Sequence, residues 1–266
     1  MPTARVCGIN IYYETYGEGE PLLLIAGLSA DLTSWILQIV EFSKKYRVIA
    51  FDNRGSGRTD APDIPYSIEM MANDTAGLLD ALNIDKVHIL GLSMGGCISQ
   101  EFALKYPHRV KSLILAATLG RPYPRSFHAL KTLSMMAHEG VSRENQIRIQ
   151  LFWLFTDKFF EVPENVQLVF DGMVANPYHE PLYAYERKLA AVSGFDTRDR
   201  LDQIKAPTLV LVGREDILTP VQLSEELAAG IPGAELVILD GGGHAFSGEI
   251  SEKFNQAVLE FLAKQK

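Results

Sequence analysis

The stretch that decides the fold is HILGLSMGGC, which runs from His88 to Cys97. An apolar run stops at Gly91, Ser93 follows, and two more glycines come shortly behind it. The string has the pattern glycine-x-serine-x-glycine, and it stands between a predicted strand and a predicted helix. In that setting the serine lies on a sharp turn with its hydroxyl exposed, as a nucleophile requires. The sequence therefore predicts Ser93 as a nucleophile.

The glycines around Ser93 fit such a turn. Gly91 and Gly95 remove side chains that would collide around the serine backbone, and Gly96 lets the following helix pack close to the strand. The start of that helix also offers N–H groups and a partial positive charge to a developing anion. The alternative is that Ser93 only caps the helix, so the partner residues have to decide.

A nucleophilic serine needs a base, and His244 is the strongest candidate among the six histidines. It follows the apolar run LVILD and lies in GGGHAF, a glycine-rich loop that is able to fold over a site. The alternative is an ordinary surface-loop histidine. The remaining histidines fit burial in a strand, a helix end, or surface and packing positions between residues 121 and 198, and they are His88, His108, His128, His138 and His179.

The acid that orients the base is expected at another strand end, ahead of the histidine. The stretch LVLVGREDILTP supplies Asp216 in the loop after a buried strand, with Glu215 beside it as the competitor. Asp240 is closer to His244 along the chain, but it ends the preceding strand and fits a cap or a turn. On the residues alone, Asp216 and Glu215 both stay open.

The oxyanion of an acyl-transfer reaction needs two backbone N–H donors. One is expected from Met94, directly after the nucleophile. The other is expected from Leu28, in the loop that follows PLLLIAG, where Gly27 helps the backbone to turn inward. Ser29 in GLSAD imitates the serine motif but lacks its second glycine.

Short apolar runs recur along the chain and predict strands that are buried on both faces of a sheet. They are PLLLIAG, YRVIAFD, VHILG, VKSLILAA, PTLVLVG and AELVILD, and the alternating INIYYETYG before them predicts an edge strand. Amphipathic patterns between the runs predict helices. The predicted fold class is therefore α/β, with a mostly parallel, doubly wound sheet.

The strand–helix alternation stops between residues 121 and 198, where the chain is aromatic-rich and helical in pattern. We interpret 121–198 as a helical cap inserted into a core formed by 1–120 and 199–266. Aromatic residues of this cap are candidates for an apolar substrate pocket, although packing of the cap onto the core is the simpler role for any one of them. The candidates are Phe152, Trp153 and Phe155.

Composition excludes several classes of protein. The chain has 266 residues and a formal net charge of −8 without a long basic cluster, which argues against nucleic-acid binding. Two cysteines make no disulfide framework, and no metal or cofactor motif is present. The first residues lack the apolar core of a signal peptide, and no run approaches the roughly 20 residues of a membrane span. These features predict a cytoplasmic protein without membrane contact.

The motifs GLSMGG, GREDILTP, GGGHAF and FDNRGSGRTD together resemble those of the α/β-hydrolase superfamily, from about residue 10 to the C-terminus with the cap unmatched. The resemblance implies an α/β-hydrolase fold and assigns the acid to Asp216, which completes a Ser93–Asp216–His244 triad. It also implies that Asp52 and Arg54 brace the sheet. Within the superfamily, GLSMGG and AGLSADLTSW are most similar to 3-oxoadipate enol-lactonases and related carboxylesterases. The chain has Ala26-Gly27 where many members have His-Gly.

The resemblance predicts a serine hydrolase that cleaves a small carboxylic ester or lactone without a cofactor. The same triad also serves carbon–carbon bond hydrolysis and cofactor-free haloperoxidase or perhydrolase chemistry, and a receptor with little turnover is the alternative of another class. An acidic lactone would need a cation in the pocket. The available candidates are Arg121, Arg125, Arg148 and Arg187.

Overall fold

The computed structural model describes residues 2–265, and within them the chain forms one sheet of eight strands. The strands are β1 (Thr3–Val6), β2 (Ile9–Tyr16), β3 (Glu20–Ile25), β4 (Tyr46–Phe51), β5 (Val87–Leu92), β6 (Val110–Ala116), β7 (Thr208–Gly213) and β8 (Glu235–Leu239). Their order in the sheet is β1-β2-β4-β3-β5-β6-β7-β8. Strands β3 to β8 are parallel, whereas β2 is antiparallel to both β1 and β4.

Helices connect the parallel strands. They are α1 (Ile36–Phe42), α2 (Ile68–Ala81), α3 (Met94–Lys105), α4 (Pro124–His138), α5 (Arg143–Leu154), α6 (Asp157–Phe160), α7 (Pro163–Ala175), α8 (Leu182–Ser193), α9 (Val221–Gly230), α10 (Phe246–Glu249) and α11 (Ser251–Ala263). Short 3₁₀ turns cover Leu32–Trp35, Pro107–Arg109 and Arg198–Gln203. The predicted α/β-hydrolase architecture is confirmed.

The apolar runs of the strands fill two cores, one on each face of the sheet. In β3, Leu23 and Ile25 pack into a core shared with α2, α3 and α9, whereas Leu22 and Leu24 pack into a core shared with α1 and α11. All four side chains are fully buried. Successive strand residues point to opposite faces, so a strand covered on both faces has to be apolar throughout.

The structure differs from the sequence prediction in its smaller elements. The sequence patterns do not predict strand β1, which joins β2 through a two-residue turn at Cys7 and Gly8, both with positive φ. They do not predict helix α9 either. The pattern ENQIRIQLFWLFTDKFF indicates one helix, but the chain is extended at Phe155 (ψ 160°) and divides into α5 and α6. Hydrogen bonds to segments distant in sequence stabilise this interruption between the two helices.

Five helices, α4 to α8, lie between β6 and β7, which are neighbouring parallel strands. The chain thus leaves the sheet, forms a helical layer and returns to the adjacent position. Leu133, Tyr185 and Leu189 centre a small apolar cluster of this layer. Polar contacts join the layer to the core, including Tyr183 Oη donating to the Ala61 carbonyl at 2.7 Å. Within residues 2–265, no helix is both long and apolar enough to cross a bilayer.

Candidate functional site

Ser93 lies between β5 and α3 on a strained turn. Its backbone has φ 55° and ψ −118°, a region that residues other than glycine rarely occupy and that costs of order 1–3 kcal/mol. Two hydrogen bonds to the end of β6 hold it there. The Ser93 N–H donates to the Ala116 carbonyl at 2.9 Å, and the Ser93 carbonyl accepts from Thr118 Oγ1 at 2.7 Å. The strain therefore falls on the residue that the sequence marks as the nucleophile.

The glycines of the motif have the steric role expected from the sequence. A Cβ atom on Gly95 would collide with the Ile25 carbonyl oxygen at the end of β3, and one on Gly91 would collide with the Gly95 carbonyl. A Cβ on Gly96 would lie 2.5 Å from the Thr118 side chain. Helix α3 can begin this close to three strands only because these positions lack side chains.

His244 and Asp216 form a buried hydrogen-bonded pair. His244 Nδ1 lies 2.9 Å from Asp216 Oδ2. The carboxylate accepts three further hydrogen bonds, from the backbone N–H groups of Leu218 and Thr219 at 2.9 and 2.8 Å and from Thr219 Oγ1 at 2.6 Å. A carboxylate held in this way keeps the proton on Nδ1 and leaves Nε2 free to accept one.

The competing acids Glu215 and Asp240 and the buried histidine His88 lie away from this pair. Glu215 is exposed to solvent, and Asp240 forms an ion pair with Arg214. His88 is buried in β5, where Nδ1 lies 2.8 Å from Ser112 Oγ. Among the sequence candidates for the acid, only Asp216 contacts His244 in the part of the chain that the structure describes.

The loop after β3 runs directly against Ser93. A Cβ atom on Gly27 would lie 3.2 Å from the Ser93 Cβ, and the next residue along is Leu28. Met94 opens α3, so its N–H has no acceptor within the helix. Among residues 2–265, neither the Leu28 N–H nor the Met94 N–H donates a hydrogen bond. Both donors therefore remain available to a ligand next to Ser93.

A cavity of about 1100 Å³ lies next to this loop, between the sheet and helices α4 to α8. Ser93, His244, Leu28 and Met94 line its base. The Ser93 hydroxyl makes no hydrogen bond to another described residue, His244 included. Hydrogen bonds of this type often tighten only when a substrate is present. The cavity places a serine hydroxyl, an imidazole and two free N–H donors around one space.

Two of the three predicted pocket aromatics line the cavity. Trp153 and Phe155 contribute to its wall, and Phe155 stacks on Phe159 with ring centroids 4.0 Å apart. Phe152 is not part of the lining, and its side chain is 63% exposed. That prediction was wrong because adjacent residues of a helix point about 100° apart, so Phe152 faces solvent where Trp153 faces inward.

The cavity wall is mostly apolar and carries no arginine or lysine among the residues that the structure describes. The arginines considered as substrate anchors have other partners: Arg121 pairs with Glu226, Arg187 pairs with Asp63, and Arg148 lies over the Phe170 ring. Arg125 does not reach the wall either. The acidic side chains of the lining are Asp31 and Glu249. An anionic ligand would therefore find no cation there.

Cys97 also lines the cavity, one helical turn beyond Ser93. Burial raises the pKa of its thiol to about 12, and a neutral thiol is a poor nucleophile.

The residues expected to brace the sheet have structural partners. Arg54 forms a buried bidentate pair with Asp74 at 2.7 and 2.8 Å, and Asp52 accepts from the Leu32 N–H at 2.8 Å.

Three site residues had no signal in the sequence. Thr219 supports Asp216, and the pair formed by Thr156 and Glu249 lies behind the His244 loop. Thr219 is close to Asp216 along the chain, but a threonine after an acid is too common a pattern to single out. Thr156 and Glu249 are far apart in the sequence, and only the packing of the chain brings them together.

Comparison with known proteins identifies the family. The family model described as alpha/beta hydrolase fold matches residues 20–249. One relative, named as a putative carbamate hydrolase RutD from Azorhizobium caulinodans, is 33% identical over 99% of this chain and 99% of its own length.

Two solved structures are similar over nearly the whole chain. The enol-lactonase from Burkholderia xenovorans LB400 is 29% identical with a TM-score of 0.87, covering 98% of this chain and 100% of its own. A thermophilic esterase from Thermogutta terrifontis is also 29% identical with a TM-score of 0.87, covering 99% of this chain and 98% of its own.

Proposed function

This chain belongs to the alpha/beta hydrolase fold family, and on that premise we propose that it is a serine hydrolase that cleaves an uncharged carboxylic ester or lactone. One observation carries the proposal. His244, which is hydrogen-bonded to the buried Asp216, lines the same cavity as Ser93, and Ser93 lies on a strained turn with a free hydroxyl. The relatives support hydrolysis in general, and the cavity supports the substrate class.

In the proposed mechanism, Ser93 Oγ attacks the carbonyl carbon of the substrate while His244 Nε2 takes the hydroxyl proton. Asp216 holds the imidazole in the correct tautomer and stabilises its protonated form. The N–H groups of Leu28 and Met94 donate to the oxyanion that forms on the carbonyl oxygen.

The imidazolium next protonates the departing alkoxide, and the alcohol leaves an acyl-serine behind. For a lactone, the alcohol remains joined to the acyl group. A water molecule, deprotonated by the same imidazole, then attacks the acyl carbon. Collapse of this second oxyanion returns the proton to Ser93 and releases the carboxylic acid.

The substrate class follows from the charge of the cavity. Burying an ionised carboxylate without a partner is costly, and here it would also approach the acidic lining residues Asp31 and Glu249. A substrate with a free carboxylate is thus disfavoured, although the sequence motifs resemble those of 3-oxoadipate enol-lactonases. An uncharged substrate with an apolar group matches the wall formed by residues such as Trp153, Phe155 and Leu130.

The test combines active-site labelling with a matched pair of substrates. A fluorophosphonate probe should label the native protein on Ser93 and should not label Ser93→Ala. Two p-nitrophenyl esters of equal chain length, one ending in a methyl group and one in a carboxylate, then report charge selectivity. We expect kcat/KM to be at least about a hundredfold higher for the p-nitrophenyl ester whose chain ends in a methyl group. Equal rates would reject the charge argument, and no labelling of Ser93 would reject the mechanism.

Carbamate hydrolysis is the second candidate, because the curated relative is named for it. A carbamate would react at the same triad, but a small one offers little apolar surface to a cavity of about 1100 Å³. Adding a p-nitrophenyl N-methylcarbamate to the substrates decides between the two. Steady turnover of the carbamate that is faster than turnover of the methyl-terminated p-nitrophenyl ester would favour carbamate hydrolysis. A slow burst of one p-nitrophenol per protein molecule would favour ester hydrolysis.

A further inference from the structure

The peptides on both sides of His244 are tied to a break between two helices of the inserted layer. The Ala245 N–H donates to the Leu154 carbonyl at 2.9 Å. The Gly243 N–H donates to Glu249 Oε2, also at 2.9 Å. The other oxygen of Glu249 accepts from the Thr156 N–H at 3.1 Å and from the Thr156 hydroxyl. Glu249 thus bridges the His244 loop and residue 156.

The His244 loop packs closely against the chain between α5 and α6. Helix α5 ends at Leu154, and Phe155 is extended. The Thr156 side chain is buried, and α6 begins at the next residue. A Cβ atom on Gly243 would lie 2.7 Å from the Leu154 carbonyl oxygen, so the two backbones are in direct contact. The third glycine of GGGHAF is therefore required by the inserted layer and not by the turn alone.

Two further contacts join the loop to the segment after β7. The Glu215 N–H donates to the Gly242 carbonyl at 3.0 Å, and Asp216 holds the ring itself. The N–H groups of the two residues that flank His244 find their acceptors at Leu154 and Glu249 instead. Without Glu249, the Gly243 N–H would lose its acceptor, and the loop would lose one of its two connections to the region around residues 154–156.

We propose that Glu249 is a positioning residue that holds His244 in place by joining its loop to Thr156. The proposal rests on the proposed function, because it assigns His244 the role of base. Glu249 acts through the backbone of the loop and exchanges no proton with the substrate. A base displaced by a fraction of an ångström to about 1 Å loses up to about a hundredfold in rate. Through this bridge, the inserted helices help to position His244.

The experiment measures kcat and KM separately for Glu249→Ala, using p-nitrophenyl acetate, which is uncharged and too short to need the far wall. We expect kcat to fall about tenfold to hundredfold with KM changed less than about threefold. Glu249→Gln, which keeps one acceptor oxygen, should recover part of the loss. Glu252→Ala, an exposed acid at the start of the next helix, is the matched control and should leave both constants unchanged.

A double-mutant cycle with Thr156→Val separates positioning from general loss of stability. Because Thr156 acts through Glu249, the double variant should be no slower than Glu249→Ala alone. All assays are run well below the measured Tm of each variant, and if Glu249→Ala does not fold, Glu249→Gln and Thr156→Val carry the test. Additive losses in the cycle, or a rise in KM at constant kcat, would overturn the proposal.

The rate of Ser93 labelling by the fluorophosphonate probe gives a second readout that needs no known substrate. It depends on the base during the attack by Ser93, so Glu249→Ala should slow it by about the same factor as kcat/KM. If the native protein is labelled but the variant is labelled equally fast, the positioning role fails while the triad stands. If the native protein is not labelled at all, the proposed function fails first.

Discussion

His244 Nδ1 lies 2.9 Å from Asp216 Oδ2, and Thr219 Oγ1 lies 3.2 Å from the same ring nitrogen. The pair joins the loop after β7 to the loop after β8. Since β7 and β8 are adjacent and parallel, their carboxyl ends meet at one edge of the sheet. The same edge carries Ser93 after β5 and Leu28 after β3. The topology thus brings together residues from four loops that are separated along the chain.

Ser93→Ala should abolish turnover while the fold persists. Removal of a triad nucleophile typically lowers kcat about a millionfold. Alanine removes only the hydroxyl, and the backbone hydrogen bonds that hold the strained turn remain. The measurement is kcat on the best p-nitrophenyl ester, with circular dichroism for the fold. Ser43→Ala, in the loop after α1, is a control that should retain full activity. More than about a tenth of native activity in Ser93→Ala would exclude Ser93 as the nucleophile.

The two adjacent acids provide their own control. Asp216→Asn should lower kcat by about four orders of magnitude, because the amide cannot hold the correct imidazole tautomer. Glu215→Gln should change kcat less than about threefold, because Glu215 is exposed to solvent and does not contact the pair. Steady-state kinetics on the same ester compare the two. The opposite ranking would transfer the role of the acid to Glu215.

The glycine after Met94 should be intolerant of a side chain. In Gly95→Ala the new methyl group would collide with the Ile25 backbone at the end of β3, and we expect a loss of about 1–3 kcal/mol or more in unfolding free energy. Gly172→Ala is the matched change in α7, where no atom beyond the adjoining backbone of the helix lies within 4 Å of the position that the new methyl group would occupy. There alanine should raise the unfolding free energy by up to about 1 kcal/mol. Urea unfolding of both variants decides, and equal effects would contradict the steric argument.

Stability should fall as the solution becomes mildly acidic, and His88 should contribute to the fall. Burial lowers the pKa of His88 below its ordinary 6.5, although Glu20 acts in the opposite direction. Below about pH 6.5 the unfolded chain therefore binds a proton that the folded chain excludes. This stabilising contribution is complete above that pH and is lost as the pH falls through the lowered pKa.

The measurement for His88 is the unfolding free energy in urea at pH 7 and at pH 5. His88→Gln should lose less stability between the two values than the native protein, whatever its stability at pH 7. His108→Gln, at an exposed position, should behave like the native protein. If the stability of all three proteins depends on pH in the same way, then folding does not lower the pKa of His88.

Substrate length should show the extent of the cavity. Each buried methylene is worth about 0.8 kcal/mol, or about fourfold in kcat/KM. We expect the rate to rise from acetate through butyrate and octanoate and to fall at palmitate, as the cavity fills. Trp153→Ala should weaken this chain-length dependence, whereas Phe152→Ala, the exposed neighbour, should not. A rise that continues to palmitate, with activation at an oil–water interface, would indicate a lipase and contradict a closed pocket.

The sequence alone determined the features that depend on local pattern. Continuous apolar runs are required wherever a strand is covered on both faces, so β3 to β8 could be predicted from the residues. The serine motif could be predicted for a similar reason, since its glycines are dictated by backbone contacts around a single turn. The order of serine, acid and histidine along the chain then followed from the resemblance of the surrounding motifs.

Only the tertiary structure decided which side chains face one another. Helical spacing could not tell Phe152 from Trp153, because which face of α5 is covered depends on helices distant in sequence. The absence of a cation from the described cavity wall depends on acids such as Glu226 and Asp63 that draw the arginines away. The bridge from Gly243 through Glu249 to Thr156 likewise joins residues 93 positions apart. Hydrogen bonds and burial between remote segments leave no periodic trace in a sequence, and they form only once the chain is folded.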